Sequence, residues 1–313
     1  MADIVISEFI DTAPVKRLKP AYSVHRDDNL WTKRDELGAL LADALAIILR
    51  NRTQLDAELL AKAPKLQVVG RLGVGLDNID LAICEARGIA VCPAVGANAQ
   101  AVAEYVIAAA LMLLRWAAFS GSGRLRRGEW PRQEMGEGRE LSGKTLGLIG
   151  FGAIGQATAA KARSLGMTTI ALDSNLAESD PAWRETSNVG LVDLLGRSDI
   201  VSLHCPLTPE TLGLIGPAEI AVVKPGAILI NTARGGIVDE TALADALRSG
   251  QLGGAALDVF DSEPITAETA ALFAGLPNLM LTPHIAGITV ESNRRISAIT
   301  VENVLKVLKE RGA

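Results

Sequence analysis

The chain has 313 residues, a length that favours two domains with substantial cores; 49% of them are hydrophobic but only 4% aromatic, so Ala, Val, Ile and Leu must fill those cores. A formal charge of -5, dispersed along the chain, argues against a nucleic-acid partner and against disorder. Cys84, Cys92 and Cys205 form no C-x-x-C pair and histidines are equally few, so no metal site is expected, and scarce cysteines behind a leader that is not signal-like point to the cytoplasm.

In chain order, short β-branched runs at Asp3–Ser7, Ala46–Leu49, Gln67–Gly70 and Ile89–Cys92 predict strands. Helical patterns at Asp35–Ala44, Asp56–Lys62 and Leu81–Arg87 lie between them. Strand–helix alternation of this kind predicts parallel sheets with helices on both faces. The longest apolar stretch, Ala101–Leu114, contains Glu104 and is too short to span a bilayer, so it reads as a buried helix and no membrane association is expected. The segment Trp116–Arg139 fits no strand–helix series. Its five glycines would suit a solvent loop, but its tryptophans favour an arm that buries aromatic side chains against a partner.

A second series predicts strands at Thr145–Ile149, Thr169–Leu172, Ile200–Leu203, Ala227–Asn231, Gly254–Leu257 and Met280–Thr282, six in all, as in a dinucleotide-binding sheet. The final helix, Val290–Lys309, is expected to return to the first domain. Residues 1–97 and 288–313 would then form a discontinuous substrate-binding domain, and residues 98–287 an NAD-binding domain with an arm near 116–139. Linkers near Gly96–Gln100 and Ala286–Thr289 would make a hinge around a cleft.

The strongest local signal is Gly147-Leu-Ile-Gly150-Phe-Gly152-Ala153-Ile154-Gly155, a predicted strand running through G-x-G-x-x-G into a helix. Gly150 suits a tight turn, Gly152 a close approach of backbone to a pyrophosphate, and Gly155 tight packing of the helix, whose N-terminus favours anions. Asp173 ends the next strand, about 20 residues on, where it can bind the adenosine ribose hydroxyls and repel a 2′-phosphate, so NAD is expected rather than NADP.

Three further segments lie at predicted C-terminal strand ends: Asn231-Thr232-Ala233-Arg234, Asp258 to Glu263-Pro264, and Thr282-Pro-His284-Ile-Ala-Gly287. Oxidising a secondary alcohol requires removal of a hydroxyl proton, and His284 is the natural base. Glu263 can bond its other ring nitrogen and orient it. Arg234 can grip a carboxylate through its guanidinium fork, which suits a 2-oxo acid. Asp258 is the natural partner of the nicotinamide carboxamide, and His204-Cys205-Pro206, at another strand end, would flank the cofactor, with His204 structural rather than catalytic. Taken singly, each has a bland alternative, Arg234 as an ion-pair partner, Glu263 as a cap and His284 as a satisfied polar loop residue; their convergence beside a dinucleotide motif carries the reading.

Six motifs in order, VGRLGVGLDNID, GLIGFGAIG, HCPLTPET, INTARGGIVDE, ALDVFDSEP and LTPHIAG, resemble those of the D-isomer-specific 2-hydroxyacid dehydrogenase family, including the phosphoglycerate dehydrogenases, over nearly the whole chain. The resemblance implies an α/β architecture of two doubly wound parallel-sheet domains, a Rossmann NAD-binding domain and a flavodoxin-like substrate domain. It also implies a catalytic Arg234, Glu263 and His284, cofactor contacts at Asp173 and Asp258, and a homodimer formed through the arm. The region least like the family is Val15–Thr32.

In the first domain, Gly73, Val74 and Gly75 belong to a glycine-rich loop whose N–H groups could bind the substrate carboxylate, as the family's loop does. Arg71 beside it, with Arg50 and Arg52 at another strand end, suggests a second anionic group on the substrate. Two dianions fit, 3-phosphoglycerate and (S)-sulfolactate, and the first-domain motifs resemble those of sulfolactate dehydrogenases. Glyoxylate or hydroxypyruvate reduction stays open, as does the non-enzymatic reading of an NAD-binding corepressor. Formate dehydrogenase is disfavoured, because that branch replaces the Glu with Gln.

Overall fold

The computed structural model describes residues 2–116 and 121–312. The chain forms two compact units, Met1–Asn98 with Ile288–Ala313, and Ala99–Gly287.

The first unit is built on five parallel strands, β1 (Ile4–Ile6), β2 (Val24–Arg26), β3 (Ala46–Leu49), β4 (Val68–Arg71) and β5 (Ala90–Pro93), in the order β2-β1-β3-β4-β5. Alternate residues of a strand face opposite sides of the sheet. Val5, Ile47, Leu49 and Val69 therefore pack with Leu37, Leu41, Leu59 and Leu60 on one face. Ile4, Ile6, Ile48 and Val68 pack with Ile296, Val301, Val304 and Leu308 on the other. Those last four belong to the final helix, Val290–Glu310, which starts from a Thr289 cap whose hydroxyl accepts from the Ser292 N–H. Strand β2 was not anticipated. It is a half-buried three-residue edge strand, Val-His-Arg, and so lacks the apolar run that marks a central parallel strand.

The second unit carries seven parallel strands, β6 (Thr145–Ile149), β7 (Thr168–Leu172), β8 (Ser187–Asn188), β9 (Ile200–Leu203), β10 (Ala227–Asn231), β11 (Leu252–Leu257) and β12 (Leu279–Leu281). Their order is β12-β11-β10-β9-β6-β7-β8. The seventh strand beyond the six expected is β8, two exposed polar residues with no hydrophobic signature. The helix Ala99–Leu114 lays Val102, Val106, Ala110 and Leu113 against Leu146, Leu148, Ile228 and Ile230. On the other face, Leu243 and Leu247 of the helix Glu240–Ser249 pack with Val201, Leu203, Leu229 and Leu257.

Each sheet has a point where the strand order reverses, β1/β3 in the first unit and β6/β9 in the second. The C-terminal edge beside such a reversal is where open α/β sheets bind ligands. No helix among the described residues is long and apolar enough to cross a membrane. In the segment after Ala99–Leu114, residues 117–120 of the expected arm lie outside the described residues. Trp116 packs into the core of its own unit, whereas Trp130 is 80% exposed.

Candidate active site

At the β6/β9 reversal the chain leaves β6 through Gly150, whose φ of 93° is one that L side chains rarely adopt. A Cβ there would lie 2.7 Å from backbone atoms of His204 and Cys205, so the turn fits against the end of β9 only without a side chain. A Cβ on Gly155 would run into the Gly150 carbonyl. Gly152 caps the helix Ala153–Ser164, and a Cβ there would meet open space. The N–H groups of Ala153, Ile154 and Gly155 open this helix, where no intrahelical acceptor exists for them.

Asp173 follows β7. Its Oδ2 accepts the Phe151 N–H at 2.7 Å and its Oδ1 the Asn175 N–H at 2.9 Å. A carboxylate offers about four acceptor positions, so both oxygens retain capacity for a ribose. The Thr232 hydroxyl oxygen is buried with no hydrogen-bond partner among the described residues. A glycine-lined turn, an acid at the next strand end and an unsatisfied buried hydroxyl together fit a dinucleotide.

The neighbouring His204 and Cys205 side chains are uncharged at neutral pH. Nε2 of His204 lies 3.0 Å from Ser202 Oγ, and burial drives the ring down to about 3, so it is neutral at pH 7. Burial pushes the Cys205 thiol up to about 11, which leaves little reactive thiolate. Pro206 contributes a carbonyl that accepts from the Thr211 hydroxyl.

The ends of β10, β11 and β12 carry the other groups. Asn231 braces its own loop, accepting from the Ala233 N–H at 3.0 Å and donating to the Arg234 carbonyl at 2.9 Å. Half-buried Arg234 donates from Nη1 to the Ala233 carbonyl at 2.6 Å. Glu263 accepts the Phe260 N–H at Oε1 (3.0 Å), and its Oε2 lies 2.8 Å from His284 Nδ1. Burial opposes ionisation of Glu263. The hydrogen bond and charge of His284, the Phe260 N–H and the Arg234 charge outweigh it and hold the carboxyl below its ordinary range. Glu263 is thus ionised at neutral pH and Nδ1 of His284 is the donor to it, which leaves Nε2 outside this bond. Arg234, Glu263 and His284 come together within one unit.

His284 itself has a φ of 57°, in the left-handed region that costs a non-glycine residue about 1–2 kcal/mol. The backbone is held there by Asp258. Its carbonyl accepts the His284 N–H at 2.8 Å. Its carboxylate, in a residue 1% exposed, accepts the N–H groups of Ile285 (2.8 Å) and Ala286 (2.7 Å) and the hydroxyl of Thr282 (2.6 Å). The sequence directed Asp258 at the cofactor; the structure gives it three donors from its own chain and about one acceptor position to spare. Gly287 ends the segment and the unit.

In the first unit the three arginines have different partners. Arg50 donates from Nε to the Phe9 carbonyl (2.9 Å) and from Nη2 to Asn293 (2.7 Å). The guanidinium of Arg52 lies 4.9 Å from the centre of the Trp31 ring. Arg71 is 8% exposed and donates from Nη1 to the Leu72 carbonyl at 2.7 Å. It lies across Gly73, where a Cβ would strike the guanidinium, while Val74 is 39% exposed and Gly75 half-buried.

Sequence reasoning missed Glu8. This residue is 3% exposed just past β1, and its carboxylate accepts the N–H groups of Arg50 (2.8 Å), Arg52 (3.2 Å) and Thr53 (3.0 Å). The available signal was an acid two residues past a wholly apolar strand. Also missed were Asn231 as a brace and Tyr105, whose hydroxyl lies 2.6 Å from Thr282 Oγ1.

Residues 107–286 match the family model described as D-isomer specific 2-hydroxyacid dehydrogenase, NAD binding domain. The chain belongs to the D-isomer-specific 2-hydroxyacid dehydrogenase family. Among the relatives of this 2-hydroxyacid dehydrogenase is an (S)-sulfolactate dehydrogenase of Chromohalobacter salexigens, 50% identical over 309 residues, which cover 98% of this chain and 99% of that one. A D-3-phosphoglycerate dehydrogenase of Mycobacterium leprae is 42% identical over 87% of this chain, but the match spans only 50% of that longer protein. The crystal structure of the TT0316 protein from Thermus thermophilus superposes with a TM-score of 0.88 at 34% identity, covering 98% of this chain and 97% of that one. Membership carries the reaction class: the 2-hydroxyacid dehydrogenase is an NAD-dependent oxidoreductase acting on a CH–OH group.

Proposed function

We propose that this 2-hydroxyacid dehydrogenase interconverts (S)-sulfolactate and its 2-oxo acid, as a cytoplasmic homodimer. The observation that carries the substrate is the end-to-end likeness to a sulfolactate dehydrogenase, where the phosphoglycerate dehydrogenase likeness stops at half of the longer relative. We read residues 1–97 and 288–313 as the substrate-binding domain and 98–287 as the NAD-binding domain. Gly150, Gly152, Gly155, Asp173 and Thr232 would hold NAD, which supplies the hydride acceptor or donor for C2 of the substrate. Nε2 of His284 takes the C2 hydroxyl proton in oxidation and returns it in reduction, with Glu263 fixing the ring through Nδ1. Arg234 pairs with the C1 carboxylate and polarises the neighbouring carbonyl.

We assign the second anion to the basic first-unit strand ends, where Arg52 is the most exposed of the three arginines. An exposed Trp130 and a 46% exposed Leu125 support assembly through the arm, and three free cysteines support a reducing compartment. Initial rates with NAD on sulfolactate, 3-phosphoglycerate, glycerate and lactate test the substrate. Sulfolactate should lead in kcat/KM. A lead for phosphoglycerate would transfer the assignment to that dianion, a lead for lactate would remove the case for a second anion, and no turnover of any 2-hydroxy or 2-oxo acid would favour the corepressor reading. A monomer mass in light scattering at micromolar concentration would refute the dimer.

A further inference from the structure

The helix Ala99–Leu114 is apolar along its buried face, yet Tyr105 sits half-buried on it with its hydroxyl 2.6 Å from Thr282 Oγ1. Thr282 Oγ1 in turn lies 2.6 Å from Asp258 Oδ1. The direction of this chain follows from donor capacity. An ionised carboxylate only accepts, and a threonine hydroxyl has one proton to give. That proton goes to Asp258, so the phenol of Tyr105 must donate to Thr282. Burial, the dominant influence on the phenol, pushes its pKa up and keeps the donor proton in place.

The chain does not end at Asp258. The same carboxylate receives the N–H groups of Ile285 and Ala286, and the Asp258 carbonyl receives that of His284. These bonds hold the backbone on which His284 adopts its unfavourable φ of 57°. Thr282 is thus tied at its hydroxyl to Asp258 and at its N–H to the Leu257 carbonyl, which fixes the residue two before His284 as firmly as the two after it.

We propose that Tyr105 and Thr282 are positioning residues for catalysis, a two-hydroxyl relay that holds Asp258 and, through it, the His284 loop. This rests on the reading of His284 as the acid–base group. Neither residue touches the reacting atoms; each acts by denying the loop the freedom to relax toward ordinary backbone angles. Misplacing a reacting group by about 1 Å can cost a hundredfold in rate, so even a small relaxation would register in turnover.

The test compares Tyr105→Phe, Thr282→Val, Thr282→Ser and His284→Ala in the full chain. Three quantities are read: kcat with the KM for NADH, the melting temperature, and amide hydrogen exchange at Ile285 and Ala286 in cofactor-free protein. Tyr105→Phe should lower kcat about three- to tenfold and Thr282→Val about ten- to hundredfold, both with the KM for NADH unchanged. Both should also speed exchange at residues 285 and 286, and Thr282→Ser, which keeps the hydroxyl, should restore kcat and exchange. If Tyr105→Phe and Thr282→Val lower the melting temperature but leave kcat and local exchange at the wild-type level, the relay only packs the unit and the inference is wrong. If His284→Ala keeps near-normal turnover, it is the acid–base reading that falls, while the exchange data still decide whether the relay holds the loop.

Discussion

The two reversal points of this molecule are built to opposite ends. At β6/β9 the chain uses glycine: Gly150 passes against the His204–Cys205 backbone without a side chain, and Gly152 leaves open space above a helix N-terminus. At β1/β3 a comparable array of N–H groups, from Arg50, Arg52 and Thr53, is filled by the carboxylate of Glu8 from within the chain. One reversal point is left open to a foreign anion; the other is closed by a resident one. The two reversal points thus differ in whether a side chain of the chain itself occupies the N–H groups there. At β1/β3 the array holds a loop on which Arg52 is exposed while Arg50 turns back onto the Phe9 carbonyl and Asn293.

That comparison can be broken at three places. The largest effect is expected at Gly150. Gly150→Ala places a methyl group 2.7 Å from neighbouring backbone at a φ that costs an L residue about 1–2 kcal/mol even without the clash, so NADH binding should weaken by at least tenfold and the melting temperature should fall. Titration of NADH fluorescence reads the first quantity, and near-wild-type affinity would show that the turn yields. Gly152→Ala is the control, since its methyl group meets no atom within 4 Å beyond its chain neighbours among the described residues: it should keep the melting temperature and still weaken NADH.

Next in size is Glu8→Gln. An amide cannot accept all three N–H groups, and one bond to a charged group contributes about 1.5–3 kcal/mol, so stability should drop by about that amount. If the loop presents Arg52 to substrate, the KM for sulfolactate should rise about three- to tenfold, in the range of one weakened charge-assisted bond, while the KM for NADH stays put. A stability loss with an unaltered substrate KM would make Glu8 a purely structural plug. The smallest effect is expected at Asp173, where the question is cofactor choice. Asp173→Ala should weaken NAD, relieve the repulsion of a 2′-phosphate and so narrow the preference for NAD over NADP by several-fold, about the net worth of one ordinary hydrogen bond. A preference as strong as in the wild type would remove Asp173 from that role.

Much of this was legible in the sequence because central parallel strands are buried on both faces and read as apolar runs. Ala46–Leu49 and Ala227–Asn231 have the bounds that their composition indicated. Edge strands lack that signature, which is why β2 and β8 went unseen. The Arg234, Glu263 and His284 segments were legible through their positions at predicted strand ends. What the sequence could not display was the division of labour among carboxylates. Asp258 and Glu8 engage N–H groups of loops distant along the chain, and only the folded backbone reveals which donors lie within reach. The Tyr105 hydroxyl is hidden in the same way, because its partner Thr282 is 177 positions away.

The burial of His204 has a practical use in spectroscopy. The chain contains only His25, His204 and His284. With its ring held down to about 3 by burial, His204 should keep one set of neutral-imidazole nitrogen shifts throughout the working pH range and so serve as an internal reference. A correlation spectrum of the ring nitrogens then contains the His204 pattern and two others, and His25→Gln removes one of those. The remaining signal reports the proton on His284 directly, in the resting protein and as ligands are added, without relying on a rate measurement.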